Sequence, residues 1–451
     1  MGIFSRNENY HTKSADQELK IKISLRNHLR ESTLPFRKHV KTKSGLILPM
    51  LISNGKTSGW VVMYVFGMVI LCILLSSPLI LIPQHNVLRF PEYWYEPFVT
   101  INMSYSLAIS LKTMLDCKII LKLDSFMSLK FFIKFYAIIV SLIAVPGFLY
   151  QLVWATIVDY EFPTPLTGFI GYIAFYISQT LIWCLMTHEE RNREGAGKRY
   201  RAYILFKFFT SFVIDAQKNV IAMGIKKTVF EYQWIFAFIL PLIRELNTFL
   251  LNKILQKLGK LEDIESKVAV TIQVNINHAT FIAVQLGTSA SQTTAYCILG
   301  IDFLINIWSS FKIVKVYRKS TQIQDADIGK RNTEKLKTGL LILSLVELIE
   351  VLVPLAHLSV TVIAYNGPNF GIIGNIGSSL WQFKKIENIY NLFFVAQEMF
   401  VVDLMSAIVA GVIFWKFCSI NFLSEIFCAA SKYGYLMSLQ LAVALAAVRL
   451  R

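Results

Sequence analysis

The sequence predicts an all-α fold, a polytopic bundle of transmembrane helices with about seven to ten spans. The first reason is composition, because 55% of the residues are hydrophobic, only 16% are charged and the mean hydropathy is +0.51. A soluble globular chain has about 25% charged residues. The second reason is that apolar runs of about 20 residues recur along the chain, whereas the alternating segments typical of a transmembrane barrel do not.

The formal net charge of +16 does not indicate a nucleic-acid partner. Lys and Arg cluster between the apolar runs, where the positive-inside rule places them on the cytoplasmic side. We therefore expect two kinds of lipid contact. The apolar runs contact the lipid bilayer, and the basic loops contact anionic lipid head groups.

Charge and hydropathy divide the chain into four regions. Residues 1–59 form a basic, polar arm that we place in the cytoplasm, which predicts a cytoplasmic N-terminus. Residues 60–187 form a first group of transmembrane helices. Residues 188–337 contain central polar and amphipathic helices, a hairpin and basic cytoplasmic loops. Residues 338–451 form a C-terminal transmembrane group with a glycine-rich outer loop.

The first group contains four apolar runs that alternate in direction across the membrane. Basic or acidic, proline-containing connections separate these runs, and together with the positive-inside rule they set the direction of each run. The predicted spans cover residues 60–83, 98–115, 135–157 and 167–186.

The central region allows two interpretations. Residues 203–225 are apolar but carry Lys207, Asp215 and Lys218 at helical spacing. This segment therefore either spans the membrane or is an amphipathic helix that lies at its surface or belongs to a cytosolic bundle. Three further runs are predicted as helices, and polar residues in the second indicate that it faces protein. These runs cover residues 234–251, 268–287 and 293–314.

The strongest functional signal lies in residues 338–365, an apolar run long enough to cross a bilayer. It carries Glu347, Glu350 and His357, with Pro354 among them, at intervals of three, four and three residues. This spacing places all four on one face of a helix. Ionisable residues at membrane depth are costly unless they are paired, protonated or hydrated, so they are candidates for a functional site.

Two explanations remain open for this polar stripe, which consists of Glu347, Glu350, Pro354 and His357. Two carboxylates and an imidazole can couple protons or bind a cation, because close carboxylates share a proton. Alternatively, the carboxylates form structural salt bridges between helices. The candidate charge partners lie in the central region and are Lys207, Asp215, Lys218 and Arg244.

Further polar groups in apolar surroundings could line a cavity with the stripe or tie helices together by hydrogen bonds. They are Asp302, Asn306, Glu398 and Asp403. The glycine-rich stretch after residue 365 is either an ordinary outer loop or a re-entrant segment that presents carbonyl groups to an ion. The later runs, 389–417 and 422–448, complete the bundle.

The sequence contains no zinc-protease, P-loop or dinucleotide-binding motif. The six cysteines show no spacing typical of a metal site or a disulfide framework. We therefore expect no enzyme activity, no cofactor and no metal. The first hypothesis is an ion or small-solute transporter or channel that uses the buried carboxylates and His357. The alternatives are a multi-helix receptor or sensor, and a non-catalytic subunit of a membrane complex.

Overall fold

The computed structural model is helical throughout the residues that it describes. Those residues contain no strand, which confirms the all-α prediction. The predicted N-terminal arm, most of the first predicted span and the glycine-rich loop lie outside them. The described residues are 104–123, 128–146, 149–150, 152–153, 167–259, 261, 263–288, 292–322, 326–366, 386–418 and 420–449, with scattered positions between 63 and 74.

Twelve α-helices are assigned within these residues. Short π-helical turns extend three of them, and a fourth π turn, Phe209–Val213, joins α5 to α6. The α-helices are α1 (Ser104–Asp116), α2 (Leu129–Ile139), α3 (Thr167–Leu185), α4 (His188–Asn192), α5 (Ala196–Phe208), α6 (Ile214–Lys227), α7 (Phe236–Lys253), α8 (Asp263–Thr288), α9 (Gln292–Gln322), α10 (Ala326–Asn366), α11 (Ile386–Cys418) and α12 (Phe422–Arg449).

Four helical segments among the described residues are long and apolar enough to cross a membrane. They lie on α7, α9, α10 and α11, and at 26 to 28 residues each exceeds the length that a bilayer requires. The four segments indicate an integral membrane protein. Their bounds are Glu231–Leu258, Thr293–Lys319, Glu334–Val360 and Phe393–Cys418.

Large apolar side chains on the outer faces of these helices indicate where lipid contacts the bundle. On α7, Phe238, Leu242, Leu246 and Phe249 follow one another at intervals of four, four and three residues, and each is more than half exposed. Such a stripe of exposed hydrophobic residues would be unfavourable in water. It fits a helix with one face in hydrocarbon.

Helix α10 lies at the centre of the bundle. Its apolar window is 67% buried, against 22% to 33% for the other three candidate spans. It packs against α8, α9, α11 and α12 in one apolar cluster that includes Leu348, Leu352 and Val353. The polar stripe of α10 therefore faces neighbouring helices and not lipid.

Helix α8 is also surrounded by protein, because its residues contribute to all three apolar clusters. Its polar side chains bond to the carbonyl groups one turn earlier, as Asn275 does to Thr271 and Asn277 does to Gln273, both at 2.8 Å. These bonds allow amide groups to be buried at low cost. The polar residues of this run had indicated contact with protein.

The long basic connection between residues 314 and 338 differs from the expected loop. Helix α9 continues to Gln322 and α10 begins at Ala326, so most of the connection is helical. The physical reason is that Lys, Arg, Gln and Glu are good helix formers. Charge marks the end of an apolar span, but it does not mark the end of the helix.

A buried acidic cluster as the candidate functional site

The stripe predicted on α10 is buried along its length. Glu347 is 0% exposed, Glu350 8% and His357 1%, and Ser344 extends the same face with no exposure. Pro354 lies inside the helix on this face. Because proline has no backbone N–H, the carbonyl group of Glu350 lacks its usual donor four residues later. The helix thus presents both a carboxylate and a weakly satisfied carbonyl group at this level.

Glu350 receives a hydrogen bond from α9 and faces a cation on α7. The Nδ2 of Asn306 donates to its Oε2 at 2.5 Å. Nη1 of Arg244 lies 3.7 Å from its Oε1. Asn306 and Arg244 are themselves 3% and 6% exposed, so this contact is shielded from water.

Arg244 is shared between two carboxylates. Its Nη1 also lies 3.5 Å from Oδ1 of Asp302, which is one turn before Asn306 on α9. Both separations exceed the 2.7–2.9 Å that is typical of a charge-assisted hydrogen bond. Among the described residues, Oδ1 of Asp302 has no hydrogen-bond donor. One guanidinium thus connects α7, α9 and α10 through loose ion pairs.

Helix α11 adds two groups to this site. The hydroxyl group of Ser406 donates to Oε1 of Glu347 at 3.1 Å, while Oε2 of Glu347 has no hydrogen-bond donor among the described residues. Asp403 is 8% exposed and interacts electrostatically with Glu350, Asp302 and Glu347. Asp302, Glu347, Glu350 and Asp403 form what we call the acidic cluster.

Negative groups outnumber positive groups in this cluster. Four carboxyl groups lie on three helices, and among the residues that the structure describes one cation, Arg244, lies within ion-pair distance of two of them, Asp302 and Glu350. Three of the four are buried and Asp302 is partly buried, so four charges of one sign would repel strongly in this low-dielectric interior. Protonation of some of the carboxyl groups, or binding of cations, relieves this repulsion.

His357 lies on the same face of α10 but farther along it. Seven residues separate it from Glu350, or about 10 Å of helix. The side chain is buried among the helices that pack on this face. The acidic cluster is therefore organised around the two glutamates, with the imidazole about two turns away.

The structure distributes the other predicted partners differently. Among these residues, Arg244 is the one that contacts the stripe. Lys207 forms a buried ion pair with Asp116 on α1, and its ammonium group also lies over the ring of Tyr203. Nζ of Lys218 donates to Asn277 on α8 at 2.9 Å and lies 3.7 Å from Asp215.

Glu398 also lies apart from the acidic cluster. The phenol group of Tyr296 donates to its Oε1 at 3.1 Å, on an exposed part of the surface between α9 and α11. Asp302, Asn306 and Asp403 are therefore the cavity candidates that the fold places beside the α10 stripe.

A second buried polar group was not anticipated from the sequence. The phenol group of Tyr203 donates to Gln179 at 2.5 Å, and Nε2 of Gln179 lies 3.5 Å from the hydroxyl oxygen of Thr113. These residues surround the pair of Asp116 and Lys207. The available signal was the four-residue spacing of Lys112 and Asp116 in an apolar run, which places both on one helical face.

Fold and site together define a class, that of a helical membrane protein with unequal charges buried in its core. No family model, curated protein or solved structure matches the chain. The residues themselves are therefore the basis for inferring function.

Proposed function

We propose that the protein is a transporter or channel for a small ion or solute, and that it works by protonation and deprotonation of the acidic cluster. The observation that supports this most directly is the ratio of four carboxyl groups, three of them buried and one partly buried, to one guanidinium. Intramembrane carboxyl groups that face a bundle interior commonly belong to ion pathways and proton relays. The reaction is movement of a solute or proton, with no covalent chemistry.

The geometry supports a switch between two ion-pair arrangements. When Asp302 and Glu350 are both ionised, they compete for Arg244 from α9 and α10. Protonation of either leaves the guanidinium to the other, which changes the electrostatic tie between α7 and the two central helices. A change of this kind gives two alternative packings of the same helices, as transport requires.

The experiment is flux measured with purified protein in liposomes under an imposed pH gradient. We expect Glu350→Gln to reduce the proton-dependent flux, because an amide cannot exchange a proton with its neighbours. Glu245→Gln is the matched control, since Glu245 is an exposed glutamate on α7. Absence of flux across a broad panel of ions and small solutes would refute the proposal.

The second candidate function is a receptor or sensor in which the same groups hold the helices together. The contact of Arg244 with both α9 and α10 favours it, because such a bridge can stabilise one packing without any transport. In that case Glu350→Gln lowers the thermal stability, and a ligand stabilises the protein without accumulating in liposomes. Among the described residues, no comparable contact supports the role of an anchoring subunit.

We also propose the full topology of about seven to ten spans, with the arm of residues 1–59 in the cytoplasm beside anionic lipid. The distribution of Lys and Arg supports this. Accessibility of single introduced cysteines to a membrane-impermeant reagent, from each side of the membrane, tests it. Labelling of the arm from the outside would contradict the orientation.

A further inference from the structure

A small cavity lies between α6, α7 and α8, next to the acidic cluster. Its volume is about 30 Å³. Since roughly 10–15 Å³ of such a cavity holds one water molecule, the cavity accommodates two water molecules or one small ion. Six apolar side chains form most of its wall, and the polar part consists of Gln217, Lys218, Arg244, Asn247 and His278.

The polar wall is cationic. Lys218 and Arg244 face the cavity from α6 and α7, and no Asp or Glu is among its lining residues. The amides of Gln217 and Asn247 bond to each other, with Nδ2 of Asn247 donating to Oε1 of Gln217 at 2.8 Å. Among the described residues, Nε2 of His278 has no hydrogen-bond partner although the atom is buried. An N–H at this atom would provide a third donor.

Arg244 connects this cavity to the acidic cluster, because it lines one and forms the ion pairs of the other. Ionised Asp302 and Glu350 neutralise its charge from one side. Once they are protonated, the guanidinium has no remaining counter-charge at ion-pair distance among the described residues. A buried cation in that state is strongly unfavourable unless an anion replaces the lost carboxylate.

We propose that the cavity binds a small monovalent anion of the size of chloride, and that binding is coupled to protonation of the acidic cluster. This inference rests on the proposed function, because it assumes that the acidic cluster is protonated and deprotonated. It adds the class of a second transported or bound species, a small anion. The anion lies between the ammonium group of Lys218 and the guanidinium of Arg244, with His278 as a third donor. Larger anions are excluded by the volume.

Charged and titratable groups lie around the cavity and the acidic cluster on every helix that contributes to either, and all of them enter the pH dependence. They include donors and counter-charges beside the cavity as well as the carboxyl groups of the acidic cluster. By helix, they are Asp215 and Lys218 on α6, His278 on α8, Asp302 on α9, Glu347 and Glu350 on α10, and Asp403 on α11.

Linkage determines the direction of the coupling. Protons and the anion both favour the state in which Arg244 is released from its carboxylates, so each increases the affinity for the other by the same factor. Anion affinity should therefore rise as the pH falls. Typical coupling energies correspond to about fivefold to 150-fold in affinity. Binding of the anion should likewise cause net uptake of protons.

The test uses the full-length protein purified in mild detergent, with chloride as the probe and gluconate as a large control anion at constant ionic strength. Calorimetric titration is performed on the acidic and the alkaline side of neutrality, and proton uptake is followed in weakly buffered solution. We expect saturable chloride binding with at least about fivefold higher affinity on the acidic side. Chloride and gluconate behaving alike at both pH values would overturn the proposal.

Variants on one helix locate the site. We expect Lys218→Gln to weaken chloride binding about tenfold or more, and Lys227→Gln, at an exposed lysine of α6, to leave it unchanged. His278→Gln is a second variant in case Lys218→Gln fails to fold. Chloride binding that both cavity variants leave intact would exclude the cavity as the site.

The outcomes separate this inference from the proposed function. Proton flux that persists in chloride-free liposomes, together with no chloride binding, would refute the anion site and leave the proposed function standing. Chloride binding with proton uptake but no flux of any solute would support the site and refute transport.

Discussion

Arg244 on α7 and Glu350 on α10 face each other at 3.7 Å, and both side chains are more than nine-tenths buried. The same guanidinium lies 3.5 Å from Asp302, so the two carboxyl groups are alternative partners of one cation. The relationship is asymmetric. Loss of Arg244 leaves buried Glu350 and partly buried Asp302 without a cation at ion-pair distance among the described residues, whereas loss of the charge on Glu350 leaves Arg244 paired with Asp302.

This asymmetry predicts the order of two single substitutions. Removing one partner of a buried ion pair costs about 3–5 kcal/mol when the other is left uncompensated. We expect Arg244→Gln to approach that loss in the free energy of unfolding and Glu350→Gln to fall well below it. Unfolding by denaturing detergent in mixed micelles measures both values.

The control for Arg244→Gln is Lys253→Gln, at an exposed lysine near the end of the same helix, which should change stability little. The double variant Arg244→Gln with Glu350→Gln completes a thermodynamic cycle. Its loss should be smaller than the sum of the single losses, because the residues interact directly. Additive losses would show that the contact carries no coupling energy.

Asp403 and Glu398 lie on the same helix and provide a contrast between cluster and surface. Asp403 interacts with the other members of the acidic cluster, while Glu398 accepts a hydrogen bond from Tyr296 on the exposed side of α11. We expect Asp403→Asn to change the number of protons taken up per chloride bound. Glu398→Gln should leave this number unchanged, because a carboxyl group outside the cluster keeps its protonation state when the anion binds. Proton uptake on addition of chloride to the purified variants in weakly buffered solution measures it. Equal effects of the two substitutions would contradict the assignment of Asp403 to the acidic cluster.

The ion pair of Asp116 and Lys207 predicts rescue by apolar replacement. Lys207 is 1% exposed and its ammonium group has no access to bulk water, so Asp116→Asn should cost about 3–5 kcal/mol. Replacing both residues by hydrophobic ones, as in Asp116→Leu with Lys207→Met, should restore most of the stability.

Thermal unfolding of these variants in detergent checks this prediction, with Lys118→Gln at the neighbouring exposed position as the control. A double variant that is less stable than Asp116→Asn alone would indicate that the pair contributes to stability through more than the attraction between its two charges. The Thr113, Gln179 and Tyr203 hydrogen bonds around it would then be the next groups to vary.

The sequence was sufficient to predict the apolar helices α7, α9, α10 and α11 and the face of α10 that carries Glu347, Glu350 and His357, because helical periodicity is a local property. It was not sufficient to select Arg244 from the candidate cations. Which cation reaches a carboxylate depends on how helices pack, and packing is decided by contacts far apart in the chain.

Two particular residues show why spacing alone can mislead. Lys207 and Lys218 were placed on one face by regular helical spacing, yet the π turn Phe209–Val213 lies between them and shifts the register. They consequently contact α1 and α8, respectively.

Glu398 and Asp403 are five residues apart, which separates them by about 140° around an ideal helix. That spacing already placed them on different faces.

Gly259 and Gly300 predict opposite effects of the same substitution. A Cβ atom at Gly259, directly after the π turn that ends α7, would lie 2.6 Å from the carbonyl oxygen of Leu255 and 2.7 Å from Cδ1 of Leu261. Overpacking of this kind costs about 1–3 kcal/mol. A Cβ atom at Gly300 in α9 would meet nothing within 4 Å, and alanine there gains up to about 1 kcal/mol in helix propensity.

We therefore expect Gly259→Ala to lower the midpoint of thermal unfolding and Gly300→Ala to maintain or raise it, measured on the two proteins in the same detergent. Each substitution adds one methyl group, so the comparison isolates local packing from any general effect of alanine. If Gly259→Ala were neutral, the connection between α7 and α8 would have to relax enough to admit the methyl group. Arg244 and His278 lie on the two helices that it joins, so such relaxation should also alter chloride binding at the cavity between them.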